Sequence, residues 1–278
     1  MIDIGANLAH DSFDDDRDTV IERAVDAGVD RLIVTGSDLA SNRHAMAIAA
    51  DYPGHCFATA GLHPHHASDW DDELAQVIRH GAKTDAIQAV GETGLDYFRD
   101  IRPRADQKAA FIAQLTIAAE YDLPVFLHQR EAHHDFIAIL REHLPYLSRA
   151  VVHCFTDDRE VLADYLAEDL YIGITGWVCD ERRGGALYDA VPDIPDNRLM
   201  IETDCPYLMP RTMRPRPKTR RNEPANLGWV RDRVAESRGA QSEDIDRVTT
   251  ATAEYFFGLD RTAHSIDADM TASAKSNV

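Results

Sequence analysis

The chain has 278 residues, of which 44% are hydrophobic and 28% charged, and its formal net charge is −19. This composition predicts a globular protein with a large core, and it excludes a surface that coats nucleic acid through its overall charge. No apolar run is long enough to cross a membrane, and the four cysteines form no CxxC pair. We therefore expect a cytoplasmic protein with reduced thiols, no membrane association and no obligate protein partner.

Short apolar runs recur along the chain and predict eight β-strands. These cover residues 2–8, 31–35, 56–61, 86–91, 125–127, 150–152, 171–174 and 199–201. Amphipathic stretches between them predict helices, one of which has an apolar stripe that stops at Gly81, a predicted C-terminal cap. Eight strand–helix units imply a parallel sheet, either open and doubly wound or closed into an α/β (β/α)₈ TIM barrel. No GxGxxG follows the first strand, which favours the barrel.

The predicted barrel fills residues 1–260 as a single catalytic domain. Residues 211–226, after the last strand, are rich in proline and arginine and predict a long loop, and two further helical patterns follow it. From residue 261 to 278 the sequence is small and polar, which predicts a disordered tail.

Polar side chains stand where four of the predicted strands stop. Glu92 follows the fourth strand, His128 the fifth and His153 the sixth, and Asp204 lies just beyond the eighth. A single histidine after a strand is more often a hydrogen-bonded loop residue than a ligand. The carboxyl ends of barrel strands, however, meet at one mouth, where so much unpaired buried charge is strongly unfavourable without a cation or substrate. The four residues therefore predict a divalent-metal site of a hydrolase.

The chemistry of these four side chains suggests their roles. Glu92 can bridge two cations with one oxygen on each, and His128 and His153 can each give a neutral imidazole nitrogen. Asp204 is placed either to bind the metal or to accept a proton from the attacking water.

Basic residues concentrate in the same predicted loops. They are Arg99, Arg102, Arg104, Arg130, Arg182, Arg183, Arg211, Arg214, Arg216, Lys218, Arg220 and Arg221. In so acidic a chain this asymmetry predicts a positive mouth that attracts a polyanion, and arginine forks favour phosphate. The alternative is that these arginines pair with surface acids. Aromatic residues of the same loops (Tyr97, Phe98, Trp177 and Tyr207) can stack on bases or pack at the rim, and the sequence does not separate the two.

Six motifs together resemble the TatD family of metal-dependent deoxyribonucleases. They are GLHPH at 61–65, VGETGLDY at 90–97, HCFT at 153–156, YIGITGWVCDERRG at 171–184, IETDCPYL at 201–208 and RRNEPANL at 220–227. The resemblance covers about residues 1–258. It implies a TIM barrel of the amidohydrolase-like superfamily of metal-dependent hydrolases. It also implies 3′→5′ exonuclease action on single-stranded or frayed DNA ends, in DNA repair or turnover.

The resemblance also implies roles for individual residues. Glu92, His128 and His153 are metal ligands, and Asp204 is the ligating or catalytic aspartate. His63 and Glu202 lie in matching motifs and are expected to support catalysis together with Glu92 and Asp204. The residues expected to bind substrate are His65, Arg130, Arg182, Arg183, Arg220, Arg221, Asn222 and Glu223.

The first strand departs from the pattern of many relatives, which carry Asp-x-His-x-His there. In this chain Gly5 and Asn7 occupy the histidine positions. One metal position is therefore poorer in ligands, which leaves one or two ions and favours Mg²⁺, with Mn²⁺ and Zn²⁺ as alternatives.

Two other functions stay open at the level of sequence. The same chemistry serves a metal-dependent ester hydrolase such as a D-aminoacyl-tRNA deacylase, and arginine-rich loops suit tRNA or other RNA as well as single-stranded DNA. A binding protein on a decayed barrel is the third alternative, and the intact set of Glu92, His128, His153 and Asp204 argues against it.

Overall fold

The computed structural model describes residues 1–259. Its eight parallel strands form one sheet in chain order. They are β1 (Ile2–Ala6), β2 (Arg31–Val34), β3 (Cys56–Ala60), β4 (Ala89–Asp96), β5 (Val125–Arg130), β6 (Ala150–Val152), β7 (Tyr171–Ile174) and β8 (Leu199–Ile201). The residues just after β8 close the sheet onto β1, because the Asp204 N–H donates to the Gly5 carbonyl at 2.8 Å and Ala6 forms a parallel bridge with Cys205. The predicted (β/α)₈ barrel is confirmed.

Helices alternate with these strands. Within residues 1–259 they are α1 (Arg17–Asp26), α2 (Leu39–Asp51), α3 (Asp72–Lys83), α4 (Arg104–Glu120), α5 (His133–His143), α6 (Arg159–Ala167), α7 (Gly185–Ala190), α8 (Leu227–Arg238) and α9 (Ser242–Phe257). The apolar side chains inside the barrel, such as Ile4 and Phe126, form one cluster with Phe256 and Phe257 of α9. The ring of Phe256 packs on that of Tyr171, the first residue of β7, with centroids 5.0 Å apart. Thus α9 covers the barrel floor, and the opposite end is left for the site.

Several sequence-based boundaries were wrong. The fourth strand does not stop at residue 91 but runs to Asp96, so Glu92 lies inside it. Gly81 does not cap a helix, because α3 continues through it to Lys83 and Gly81 is buried against Ile87 and Met46. The predicted disorder of residues 261–278 lies outside the described residues, and the single-domain assignment stays a prediction.

An irregularity in β4 brings Glu92 to the site. Val90 pairs with Val125 of β5 and Thr93 with Leu127, so β4 has one more residue than β5 between the two pairs. Such a bulge bends a strand and redirects a side chain. Gly91, just before Glu92, has a φ of 144°, a conformation that favours glycine. The local sequence thus lets Glu92 point into the barrel mouth, where its carboxylate is buried.

Candidate metal centre

The carboxylate of Glu92 is the common partner of three histidines at the centre of the site. Its Oε1 lies 2.9 Å from His128 Nδ1, 2.8 Å from His153 Nε2 and 3.3 Å from His63 Nε2. The three imidazoles come from β5, from the residue after β6 and from the loop after β3. Convergence of groups so far apart in the sequence follows from the barrel, whose strand ends meet at one mouth.

The electrostatics of this cluster suit a cation. Burial alone would raise the pKa of Glu92, but His63 and His153, with hydrogen bonds from His128 and His153, hold it well below its usual range. Burial works against the charged form of His153 too, yet Glu92 and Glu202 raise its pKa well above the ordinary value. Burial lowers the pKa of His63 to about 4. These shifts favour an ionised Glu92 and a protonated His153. A divalent cation would bind the carboxylate and displace the proton from the imidazole.

Carboxylates stand behind two of the histidines. His153 uses its second nitrogen, Nδ1, to approach Glu202 Oε2 at 3.3 Å, and His128 Nε2 lies 3.4 Å from Asp96 Oδ2. A carboxylate on the far nitrogen of a ligating histidine fixes the tautomer and the ring orientation. The sequence-based prediction assigned no role to Asp96, although it lies in the VGETGLDY motif, five residues after the predicted end of the fourth strand.

The donor set fits a divalent ion. His63, Glu92 and His128 each offer one ligand atom, and these atoms lie within 4.8 Å of one another. Mixed imidazole and carboxylate donors suit Zn²⁺, Mn²⁺ or Mg²⁺. His63, which the sequence placed in a supporting role, belongs to this cluster. The predicted divalent-metal site is supported at this level, whereas the identity and number of the ions stay predictions.

Asp204 stands beside this cluster. Its Oδ1 accepts a hydrogen bond from Asn7 Nδ2 at 2.9 Å, and it lines the same cavity as Glu92 and His153. Burial raises the pKa of Asp204 to about 7, against the effect of nearby His153 and with help from the Glu92 and Glu202 carboxylates. Asn7 therefore orients the aspartate at the place where the first-strand pattern of relatives has a histidine.

A protein-family model described as TatD related DNase matches residues 2–258. The chain belongs to this family. The 3′-5′ ssDNA/RNA exonuclease TatD of Erwinia tasmaniensis is 49% identical over 259 residues, which are 93% of this chain and 100% of that protein. The protein of the same name from Erwinia billingiae is 50% identical over 93% of this chain and 99% of its own length. The crystal structure of a TatD homologue from Escherichia coli K12 matches with a TM-score of 0.84 at 26% identity, covering 93% of this chain and 98% of that one.

Membership in the TatD-related DNase family confirms two sequence-based predictions, the barrel fold and a hydrolase of the nuclease class. The roles of the individual residues stay predictions, which the geometry of the centre supports to different degrees. In residues 1–259 no helix is both long enough and apolar enough to span a bilayer.

In this TatD-family protein, the carboxylate of Glu202 occupies the space directly beside Gly5. Glu202 is fully buried, and its carboxylate contacts His153 and the Cys154 N–H. A Cβ on Gly5 would collide with Glu202 Oε2, and one on Gly173 would lie 2.6 Å from Glu202 Oε1. Two glycines therefore make room for one carboxylate.

We expect Gly5→Ala to lower the free energy of unfolding by about 1–3 kcal/mol, because the added methyl group forces Glu202 from its position. Gly185→Ala is the control, since nothing lies within 4 Å of a Cβ there. Urea unfolding measures both. In the double variant Gly5→Ala/Glu202→Ala the loss should be smaller than the sum of the single losses. Additive losses would contradict the steric explanation.

The centre opens into a cavity of about 960 Å³. Of the eight residues predicted to bind substrate, His65 and Arg130 line it. His65 Nε2 lies 2.8 Å from Asp96 Oδ2, so the same buried carboxylate serves His65 and His128.

The other six predicted substrate residues lie away from the lining of this cavity in the described structure. Arg221 forms ion pairs with Asp16 at 2.7 Å and with Glu223 at 2.9 Å, and Arg183 pairs with Asp180 at 2.8 Å. Buried Asn222 donates to the Thr203 carbonyl. Within residues 1–259, the exposed residues Arg182 and Arg220 form no ion pair. Arg183 and Arg221 therefore pair with acids, as the alternative interpretation of the loop arginines predicted. Their role in binding substrate stays a prediction, and neither of them lines the cavity.

Proposed function

We propose that the protein is a divalent-metal-dependent 3′→5′ exonuclease that releases nucleotides from single-stranded or frayed DNA ends, with RNA as a second substrate. The observation that carries the proposal is the convergence of three imidazoles on Glu92 Oε1 at 2.8–3.3 Å, beside buried Asp204. Two relatives near 50% identity are named as 3′-5′ exonucleases of single-stranded DNA and RNA. We favour Mg²⁺ as the ion and a cytoplasmic location, the latter because all four cysteines are free.

The reaction would be hydrolysis of the last phosphodiester bond. When bound, the cation stabilises negative charge on the phosphate and lowers the pKa of water. His63, Glu92, His128 and His153 would hold it, and Glu202 and Asp96 would orient His153 and His128. Because Oδ1 of Asp204 is engaged by Asn7, Oδ2 is the atom that would take the proton of the attacking water. The water oxygen bonds to phosphorus as the P–O3′ bond breaks, the terminal nucleotide leaves as its 5′-monophosphate, and O3′ takes up a proton to become the new 3′-hydroxyl of the shortened strand.

We expect Mg²⁺ to be required for nucleotide release, because the donor atoms of the centre alone supply no Lewis acid. A 5′-labelled 20-nucleotide single strand should shorten stepwise from its 3′ end with Mg²⁺, and the rate should fall about 100-fold or more with EDTA and return with added Mg²⁺ or Mn²⁺.

A D-aminoacyl-tRNA is assayed beside the DNA, since an ester hydrolase is the alternative function. Intact DNA together with rapid deacylation would refute the exonuclease proposal. Shortening from the 5′ end would refute its direction.

A further inference from the structure

The walls of the cavity differ in chemistry from one side to the other. On one side stand three aromatic side chains: Trp177 from the loop after β7, Tyr207 from the loop after β8 and His10 from the loop after β1. We call these three the aromatic wall. The side chain of Tyr207 is 53% exposed, and its ring packs edge-on against that of His10 at 5.8 Å. Exposed rings at a cavity rim offer stacking surfaces for bases.

The other wall is cationic. Arg99, from the loop after β4, and Arg130, the last residue of β5, are the two arginines that line the cavity among residues 1–259. Neither forms an ion pair with a described acid, unlike Arg183 and Arg221. The guanidinium of Arg130 is supported by the ring of Phe98, with 3.9 Å between the guanidinium carbon and the ring centroid. We call Arg99 and Arg130 the arginine wall.

The two walls face each other across the metal centre. In a closed eight-stranded sheet with strands in chain order, β4 and β5 lie diametrically opposite β8 and β1. The charged residues that line the cavity on the β1 and β2 loops are Asp11 and Asp38, both acids. Among residues 1–259, the cation that packs on a ring of the aromatic wall is Arg183, over Trp177, and it is already paired with Asp180.

We infer that the cavity binds single-stranded nucleic acid in one direction, with the 3′-terminal nucleoside on the aromatic wall and the upstream phosphates on the arginine wall. This inference rests on the proposed function. The terminal nucleoside has one phosphate, which sits at the metal centre, so its subsite needs a stacking surface and no further cation. The strand on the other side of the scissile bond carries a phosphate at every nucleotide, and that side has the unpaired arginines.

Two variants and three substrates test the direction. The variants are Arg99→Gln/Arg130→Gln and Tyr207→Leu, and the matched controls are Arg247→Gln on α9 and Tyr146→Leu, both exposed and away from the cavity. The substrates are a ten-nucleotide oligothymidylate, the same strand with an abasic 3′-terminal nucleotide, and the p-nitrophenyl ester of thymidine 5′-monophosphate, which has a terminal nucleoside but no upstream phosphate. Circular dichroism and thermal midpoints establish that each variant is folded.

The double arginine variant should raise KM for the ten-nucleotide strand about tenfold and make its salt dependence shallower, while its loss on the nitrophenyl ester is much smaller. Tyr207→Leu should lower kcat/KM about fivefold to 100-fold on both the strand and the ester, and far less on the abasic strand. The reversed pattern, or equal losses on all three substrates, overturns the inference while the exonuclease stands. If the wild-type protein releases no nucleotide from the strand, the proposed function fails and this inference fails with it.

Discussion

We expect Glu92→Gln to lower nucleotide release about 1000-fold, equivalent to roughly 4 kcal/mol of lost transition-state stabilisation. The carboxylate is the common partner of His63, His128 and His153, and a neutral amide neither attracts a cation as strongly nor accepts hydrogen bonds from three imidazoles. Calorimetric titration with Mn²⁺ should show the cation affinity falling along with the rate.

Glu73→Gln is the matched control for this change, because Glu73 is an exposed carboxylate paired with Arg43 on the outside of the barrel. Its rate and affinity should equal those of the wild type. Wild-type Mn²⁺ affinity in folded Glu92→Gln would contradict the assignment of Glu92 as the central ligand. Unfolding of the variant, seen by circular dichroism, would instead show that the carboxylate is needed to neutralise the buried histidines.

Asp204→Asn should lower kcat about 100-fold to 10,000-fold with little change in KM, because the variant cannot accept a proton from the attacking water. The amide has nearly the same shape, so its oxygen can still accept the hydrogen bond from Asn7. Single-turnover hydrolysis of a labelled strand under Mg²⁺ measures the chemical step directly.

The cation affinity of Asp204→Asn separates the two roles that the sequence left open. Affinity within about threefold of the wild type identifies a proton acceptor, and a loss as large as that of Glu92→Gln identifies a ligand. Asp51→Asn, an exposed residue at the end of α2, is the control. An unchanged kcat in Asp204→Asn would remove the residue from the mechanism.

Local sequence patterns predicted the barrel because each strand–helix unit carries its own periodicity. They also placed His128, His153 and Asp204 near one mouth, since parallel strands with helical crossovers order their ends. The position of Glu92 was less accurate. An extra residue in β4 is invisible to an apolar pattern, so the strand appeared to stop at Gly91.

Side-chain partners were the part that sequence could not supply. Arg221 meets Asp16 across 205 positions of the chain, and Arg183 meets Asp180 within its own loop. Whether an arginine is paired or available depends on these contacts rather than on how many arginines a loop contains. Asp96 was missed for the same reason, because its contact with His128 becomes visible only when β4 and β5 are side by side.

The close approach of Gly5 to Glu202 also links the first strand to a histidine that it does not touch. A side chain at position 5 can be accommodated only if the carboxylate of Glu202 moves, and that carboxylate contacts His153 and the Cys154 N–H. The packing of β1 therefore controls the environment of His153 through Glu202, and a change in one segment of the barrel would be transmitted to the metal centre through a single buried carboxylate.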